Sequence, residues 1–401
     1  MLLRNCVILV VSLGLTVAAE AASCQNTGSF PAWLSGFKKD ALANGISSQA
    51  LAAAEPGLVF DQSTIDLDHQ QGVFNQSFLQ FSDRMVNKFR QQKGQSLIKK
   101  NKVIFDRIEQ QFGVPAPVIV AFWALESDFG ANSGNKPILR ALATLAFDCR
   151  RSEMFRKELM DALRIVQRGD LQPSEMIGSW AGELGSTQFI PSHYWTYGVD
   201  FDGDGRVDLV HSTPDVLATT ANFLKSLGWQ AGQPWMQNVQ VPDEMPWEQS
   251  DLTIQLPRSQ WSKYGVTDAA GKALPNDDVK ASLLLPMGRL GPAFLAYQNF
   301  QVYLQWNQSL VYSTTAAYLA TRIAGAPALG RGNATVTPLS LAEVKDLQRM
   351  LAKRGHNVGE IDGKLGSGTR AAVKAEQIKL GLPADAYPDT ALISRLHGEG
   401  G

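Results

Sequence analysis

The chain has 401 residues, of which 44% are hydrophobic and 19% are charged, and its formal net charge is −1. This composition is typical of a folded globular protein with a large core and room for a second domain, and it excludes a chain that is disordered throughout. The balanced charge provides no basic field for nucleic acid and no polybasic patch for anionic lipid. No nucleic-acid partner is therefore expected.

Residues 1–21 are predicted to be a secretory signal peptide. Arg4 precedes a short apolar stretch, and an Ala-x-Ala pattern at Ala19 and Ala21 follows it. No later segment has the apolar length that a membrane span requires. We therefore expect a soluble mature protein in the periplasm. Lipid anchoring at Cys24 is the less favoured alternative, because a small alanine stands where lipidated cysteines usually have a large aliphatic residue three positions earlier.

Removal of the signal peptide leaves two cysteines, Cys24 and Cys149. Two cysteines in an oxidising compartment predict one disulfide, which would tie the mature N-terminus to the core. The alternative is a pair of unrelated buried thiols.

Helical patterning dominates residues 28–325, the predicted large domain. Apolar residues recur at three- and four-residue spacing in several stretches, with glycine just after the last turn. The clearest of these stretches are residues 31–46, 96–114 and 153–169. The fold class is therefore predicted to be mainly α.

Two further regions depart from this pattern. Between Pro242 and Pro286, short apolar runs at 251–256 and 281–286 alternate with Pro, Gly and Asp, which predicts a small strand-containing insertion. Residues 326–338 are rich in Gly, Pro, Ala and Thr and are predicted to be a linker. Residues 339–398 then form a small helical domain with two clear helix patterns around a glycine-rich turn.

Glu126 is the strongest candidate for a catalytic group. No other polar residue occurs between Pro117 and Leu125, so a helix there is expected to be largely buried. Desolvation raises the pKa of a carboxyl group toward neutrality, as a general acid requires. The alternative is a glutamate that emerges into water at a helix end capped by Gly130.

An aspartate-rich loop is predicted to bind calcium. Its carboxylates recur at alternate positions, with Gly205 in the sixth place of an EF-hand pattern. His211 stands where an EF-hand has its bidentate glutamate, so the closing ligand is expected later in the chain. The alternative is a solvated turn without metal. The candidate metal positions are Asp200, Asp202, Asp204, Arg206, Asp208 and Asp215.

Residues 178–195 combine small residues, an amide at Gln188 and several aromatic side chains. Sugars are bound by such mixtures, because aromatic faces cover C–H surfaces while amides pair with hydroxyl groups. Glu183 lies in the same segment as a rival acid. Its neighbours Gly182 and Gly185 predict a more flexible and more hydrated environment than that of Glu126.

Two more motifs carry polar groups. The adjacent Arg150 and Arg151 are suited to hold a peptide or lactyl carboxylate, or they form an internal ion pair with residues such as Asp148 or Glu153. Asn307 lies among aromatic residues, where it either orients a nucleophile or caps a turn.

Five segments, in order, resemble the motifs of lytic murein transglycosylases of the membrane-bound B type: WALESDFG, RRSEMFRKEL, GSWAGELGSTQFIPSHY, DFDGDGRVD and YLQWNQSLVY. The resemblance covers roughly residues 28–325. Residues 339–398 resemble a three-helix peptidoglycan-binding domain, but Glu376 stands where that family usually has Phe.

The resemblance implies a lysozyme-like catalytic domain that acts on strands of N-acetylglucosamine (GlcNAc) and N-acetylmuramic acid (MurNAc). Glu126 is implied to be the single catalytic carboxyl, acting as acid and then as base to form 1,6-anhydroMurNAc ends. No cofactor is required, although structural calcium is compatible with the loop. The implied substrate-binding residues are Ser179, Gln188, Asn307, Tyr312, Arg150 and Arg151.

Two other functions are compatible with the same residues. A hydrolytic muramidase would use water and a second carboxylate, Asp128 or Glu183. A non-catalytic scaffold would only bind the cell wall. The expected partner is the peptidoglycan glycan strand, a monomer is the default assembly, and the sequence names no cell-wall enzyme partner.

Overall fold

A computed structural model describes residues 28–70 and 76–398 of the chain. Helices predominate in these residues, which confirms the predicted mainly α class. None of the described helices is long and apolar enough to cross a bilayer. The predicted signal peptide and Cys24 lie outside the described residues.

The helices of the large domain begin mostly at residues that cap them. Ser29, Ser47 and Asn87, for example, each accept a hydrogen bond from a backbone N–H of the following first turn. The helices are α1 (Phe30–Ala43), α2 (Ser48–Ala54), α3 (Gln62–His69), α4 (Phe78–Met85), α5 (Lys88–Lys100), α6 (Lys102–Phe112), α7 (Ala116–Ser127), α8 (Ile138–Phe147), α9 (Ser152–Arg168), α10 (Pro191–Tyr197), α11 (Thr213–Ser226), α12 (Arg258–Lys263), α13 (Phe300–Trp306) and α14 (Leu310–Ile323).

The apolar helix α7 is the centre of the large domain. It packs against α5, α6, α11 and α14, and most of its side chains are buried. The predicted burial of this run is therefore confirmed. Glu126 lies in the last turn of the helix, whose buried body is held in place by the core.

The apolar pattern over residues 96–114 spans two helices rather than one. Helix α5 ends at Lys100 and α6 begins at Lys102. Between them, the side chain of Asn101 donates a hydrogen bond of 3.0 Å to the carbonyl of Leu97. A side-chain amide that occupies a helical carbonyl in this way offers the backbone an alternative to continuing the helix.

In the described part of the chain, seven short strands accompany the helices. A two-stranded pair, β1 with β2, joins the start of α8 to the segment before residue 179. The other five form an antiparallel sheet in the order β4-β6-β7-β3-β5. The strands are β1 (Lys136–Pro137), β2 (Ile177–Gly178), β3 (Met236–Gln240), β4 (Leu256–Pro257), β5 (Thr267–Asp268), β6 (Lys280–Leu284) and β7 (Ala293–Ala296).

The sheet extends beyond the predicted insertion, because β3 precedes Pro242 and β7 follows Pro286. The apolar run at 251–256 is mostly turn rather than strand. The carboxylate of Asp251 accepts hydrogen bonds from both the backbone and the hydroxyl of Thr253, which bends the chain there.

Three helices form the C-terminal domain: α15 (Leu341–Lys353), α16 (Ser367–Lys379) and α17 (Thr390–Gly398). Arg370 on α16 donates to the backbone carbonyls of Leu285 and Pro286, just after β6. Lys374 pairs with Asp251 at 2.9 Å. These contacts dock the domain against the five-stranded sheet.

The predicted linker has no helix or strand, yet it is bonded to the large domain. Arg331 pairs with Asp83 at 2.8 Å, and the side chain of Asn333 donates to the carbonyl of Val241 at 3.1 Å. Within the C-terminal domain, Glu376 is buried and lies 2.8 Å from His356 Nε2. Glu376, which stands where the family usually has Phe, thus has a polar partner in His356.

Candidate active site

The carboxyl group of Glu126 is held by two donors that come from distant parts of the chain. Trp306, at the end of α13, donates its indole N–H to Oε1 at 2.9 Å. Tyr312, in the first turn of α14, donates its hydroxyl to the same oxygen. Within the described ranges, no group is hydrogen-bonded to Oε2. The geometry therefore leaves Oε2 as the oxygen that can carry the transferable proton.

The surroundings of Glu126 make it a weak acid. Burial raises its pKa from the ordinary value of 4.5 to about 7, against the lowering effect of the Tyr312 and Trp306 hydrogen bonds, and the charge of Glu183 raises it slightly further. A carboxyl group with this pKa is largely protonated below neutral pH and loses its proton readily near pH 7. These are the properties of a general acid that later serves as a base.

Glu183 is a second carboxyl in the same region. Ser179 donates its hydroxyl to Glu183 Oε2 at 3.0 Å and accepts the backbone N–H of Glu183 at 3.2 Å. Burial raises the pKa of Glu183, while the Ser179 hydrogen bond and the charge of Arg151 lower it. Ser179 is therefore bonded to a neighbouring acid, and Glu183 is less exposed than its glycine neighbours suggested.

The amides at Gln188 and Asn307 are both engaged in local contacts. Gln188 adopts a left-handed backbone conformation, with φ of 52°, and donates to the carbonyls of Ser133 and Gly185. Asn307 accepts the backbone N–H of Ser309 at 2.9 Å, just before α14. Asn307 thus makes the turn-capping contact that the sequence left as one of two alternatives, and its substrate-binding role stays a prediction.

A cleft of about 1450 Å³ lies between the start of α14 and the C-terminal domain. The large domain contributes Asn307 and Tyr312 to its wall, and the C-terminal domain contributes Arg370 and Tyr387. Its size exceeds that of a pocket for a single small molecule, so its dimensions suit an extended polymer.

The two predicted arginines meet at a carboxylate that the sequence did not indicate. Arg150 bonds one oxygen of Asp68 at 2.8 Å, and Arg151 bonds the other. Asp68 is buried on α3, whereas the two arginine side chains are 41% and 34% exposed. The internal ion pair was thus expected with the wrong partners, since Asp148 bonds the backbone N–H of Arg150 rather than its guanidinium group and lies 3.5 Å from His69.

Three carboxylates of the aspartate loop come together. Oxygens of Asp200, Asp202 and Asp204 all lie within 4.8 Å of one another. Such a group of hard, exposed oxygen ligands fits calcium. The guanidinium group of Arg206 lies 3.5 Å from Asp204, at the edge of this group.

The other two predicted ligands, Asp208 and Asp215, are not part of this group of three. Asp215 is buried, and its two oxygens accept the backbone N–H groups of Phe201 and Asp208. Asp208 accepts the backbone N–H of His211 at 2.8 Å and lies 3.0 Å from its ring. The carboxylate of Asp215 braces the loop from inside, and its role as the closing ligand stays a prediction.

Cys149 is disulfide-bonded. Its predicted partner, Cys24, lies outside the described residues, so the pairing stays a prediction.

Comparison with known proteins assigns the arrangement to a family. Residues 29–321 match the family model described as the transglycosylase SLT domain. The chain belongs to this family. Residues 340–396 match the model of a peptidoglycan binding domain. The resemblance to lytic murein transglycosylases that the five motifs indicated is thereby confirmed.

Individual relatives agree with this assignment. The membrane-bound lytic murein transglycosylase B of Escherichia coli K12 is 30% identical over 259 residues, which are 62% of this chain and 68% of the relative. SltB3 of Pseudomonas aeruginosa, solved in complex with NAG-anhNAM-pentapeptide, is 40% identical with a TM-score of 0.85, over 92% of this chain and 100% of that one. The E. coli lytic transglycosylase Slt35, solved in complex with calcium, is 28% identical with a TM-score of 0.62, over 76% and 97% of the two chains.

Two residues of this family member were missed by sequence reasoning. Trp306 is one of the aromatic residues around Asn307, and no spacing in the sequence marks it as a donor to Glu126. Asp68 was not predicted at all. Each is brought to its partner only by the folded chain, across 180 residues for Trp306 and 82 or 83 residues for Asp68.

Proposed function

We propose that the protein cleaves the MurNAc-GlcNAc β-1,4 bond of peptidoglycan and leaves 1,6-anhydroMurNAc ends. The observation that carries this proposal is the Glu126 carboxyl group, whose pKa is raised to about 7. One of its oxygens accepts two hydrogen bonds, and the other accepts none from the described residues. The protein belongs to the SLT transglycosylase family, and it is therefore an enzyme that acts on this polymer.

In the first step, Glu126 transfers its proton to the glycosidic oxygen as the bond from that oxygen to C1 of MurNAc breaks. Positive charge develops at C1, as in other glycosidic cleavages. The Glu126 carboxylate that results is stabilised by the two donors on Oε1, since hydrogen bonds to an ionised group are stronger than those to a neutral group.

In the second step, the C6 hydroxyl of the same MurNAc attacks C1. Its proton passes to the Glu126 carboxylate, which restores the starting state, and no water is consumed. The 2-acetamido carbonyl of the substrate supports C1 between the two steps. Because the nucleophile belongs to the same sugar, the reaction gains the high effective molarity of an intramolecular group.

Substrate contacts are proposed along the cleft. Asn307 and Tyr312 line it, and Ser179 and Gln188 belong to the segment that resembles the saccharide-binding motif of the family. Arg150 and Arg151 share Asp68 but remain partly exposed, which supports their binding a peptide or lactyl carboxylate.

A hydrolytic muramidase remains the second candidate, because Glu183 supplies another carboxyl in the same region. Mass spectrometry of the muropeptides that the mature protein releases from purified sacculi distinguishes the two activities. We expect products that are one water lighter than hydrolytic ones and resist borohydride reduction. Reducible ends would indicate a muramidase, and no release would indicate a wall-binding scaffold.

Replacing Tyr312 with Phe is expected to move the alkaline limb of the kcat/KM profile to higher pH. The Tyr312 hydroxyl lowers the pKa of Glu126, so its loss raises that pKa and keeps the acid protonated at higher pH. Turnover should fall about tenfold or more, because the carboxylate loses a charge-assisted hydrogen bond. Rates of muropeptide release across pH test this, with Tyr264→Phe in the insertion as control. If the alkaline limb stays at the same pH or moves to lower pH, the result would contradict the proposed effect of the Tyr312 hydrogen bond on Glu126.

We also propose that Asp200, Asp202 and Asp204 hold a structural calcium ion, as the calcium complex of Slt35 supports. The ion would neutralise the repulsion among the three carboxylates and rigidify the loop, with no part in the chemistry. At 100 times its Kd, calcium should raise the free energy of unfolding by about 2.7 kcal/mol.

Thermal unfolding with calcium, with magnesium and with a chelator measures this effect. Asp204→Asn should abolish most of the calcium-dependent increase in Tm, whereas Asp106→Asn, an exposed change on α6, should retain it. An increase of equal size in both variants would place the ion elsewhere.

For localisation, we propose export to the periplasm with removal of residues 1–21. Peptidoglycan is accessible there, which fits the proposed substrate. N-terminal sequencing of the mature protein from a periplasmic fraction tests this, and a lipid on Cys24 would show anchoring instead.

A further inference from the structure

Helix α7, which carries Glu126, ends in an unusual turn. Three consecutive residues after Ser127 adopt the left-handed conformation, with φ of 50° at Asp128, 63° at Phe129 and 87° at Gly130. Glycine adopts this conformation without cost and aspartate adopts it when its side chain is hydrogen-bonded, but a bulky residue such as Phe129 is disfavoured there. Strained backbone of this kind persists only where surrounding contacts enforce it, and it is concentrated at functional sites.

One of these contacts is an ion pair with α5. Arg90 donates its Nε–H to Asp128 Oδ1 at 2.6 Å, and the Arg90 side chain is only 11% exposed. A second guanidinium N–H of Arg90 donates to the carbonyl of Met85 at 3.1 Å, which fixes the guanidinium from behind. Asn132 donates to the other oxygen of Asp128 at 3.1 Å. Contacts with Asp128 and with the carbonyl of Met85 thus hold the guanidinium group of Arg90 in place.

The turn is connected directly to the catalytic group. Glu126 precedes Asp128 by two residues, and the N–H of Asp128 closes the last helical turn onto the carbonyl of Ala124. The N–H of Phe129 bonds the carbonyl of Trp123. If the turn relaxes, these bonds at the helix end are lost, and the backbone that carries Glu126 is free to rotate away from Tyr312 and Trp306.

We propose that Arg90 is a positioning residue for the reaction: by holding Asp128 in the left-handed conformation, it fixes the direction in which the last turn of α7 presents Glu126. This inference rests on the proposed role of Glu126 as the catalytic acid. It assigns a function to an ion pair that makes no contact with the Glu126 carboxyl group.

A double-mutant cycle between Arg90 and Asp128 tests the inference. Arg90→Met removes the ion pair with a side chain suited to the same buried path. Asp128→Gly removes the carboxylate but allows the left-handed backbone without any partner. If Arg90 acts only through the backbone of residue 128, it becomes dispensable once that residue is glycine. The exposed pair of Lys102 and Asp106 provides a matched control in Lys102→Met.

We expect R90M to lower kcat for muropeptide release about 10- to 100-fold with little change in KM, since small misplacements of a catalytic group have effects of this size. In the D128G background the same change should lower kcat no more than about twofold, within the error of additivity. K102M should behave as the parent in both backgrounds. If R90M is insoluble, R90K, which lacks the Nε–H donor at that position, is carried through the same cycle.

An unchanged kcat in R90M, or an equal loss in the parental and D128G backgrounds, would overturn the positioning role. Glu126→Gln is assayed in parallel to keep the two proposals separate. If E126Q is inactive while R90M has full kcat, only the inference about Arg90 fails. If E126Q is active, the proposed function fails, and the role of Arg90 fails with it.

Discussion

Replacing Glu126 with Gln is expected to lower the rate of muropeptide release from sacculi about 10⁴-fold, near the upper limit of what a positioned acid and base contributes. Glutamine has nearly the same shape and can still accept the hydrogen bonds of Trp306 and Tyr312, but it has no proton to transfer to the glycosidic oxygen. Both steps of the proposed reaction therefore lose the same group. Initial rates of soluble muropeptide release provide the measurement.

The control for this change is Glu109→Gln, an exposed glutamate on α6. It removes the same charge from the same type of structure and should leave the rate unchanged. A second control is the far-UV spectrum of each variant, which should match that of the parent. An E126Q protein that degrades sacculi at even one tenth of the parental rate would show that another residue supplies the acid.

The same substitution is expected to stabilise the protein at neutral and alkaline pH. Because burial raises the pKa of Glu126 from 4.5 to about 7, the folded protein keeps this proton at pH values where the unfolded chain has lost it. This group therefore stabilises the parent fully below pH 4.5, and that stabilisation is lost as pH rises to about 7. The shift corresponds to about 3 kcal/mol, and the glutamine in E126Q does not titrate.

Urea denaturation at several pH values between 4 and 8 measures this effect. The difference in free energy of unfolding between E126Q and the parent should grow by about 3 kcal/mol across this interval and then level off. Glu109→Gln should show a flat difference. A difference for E126Q that is also flat would mean that Glu126 titrates normally and lacks the raised pKa on which the acid role depends.

The parts of the site that sequence reasoning predicted depend on local pattern. A continuous apolar run is buried whatever surrounds it, so the burial of Glu126 followed from residues 117–125 alone. The helix over residues 153–169 followed in the same way from its spacing and its terminal glycine. These features are encoded by neighbours within a few turns of the chain.

The parts that were missed depend on contacts across the fold. Asp68 reaches Arg150 and Arg151 only because α3 packs beside α8, and no spacing in the sequence reports that contact. Asp215 has the chemistry of a calcium ligand, but backbone N–H groups satisfy its carboxylate, and a sequence pattern cannot show which partner a buried oxygen takes.

Strand limits were the least predictable feature of the fold. The segment at 251–256 has the apolar composition of a strand, yet the Asp251 carboxylate organises a turn and also pairs with Lys374 of the C-terminal domain. Domain docking therefore contributes to the local structure of the insertion. The alternation of apolar and polar residues that predicts a strand cannot indicate such a long-range contribution.

The most direct test of the central proposal is digestion of sacculi in water enriched in heavy oxygen, followed by mass spectrometry of the released muropeptides. An intramolecular attack by the C6 hydroxyl consumes no water, so we predict anhydro products that carry no heavy oxygen and whose release depends on Glu126. Incorporation of one heavy oxygen at the new MurNAc end would contradict the proposal and identify the protein as a hydrolase.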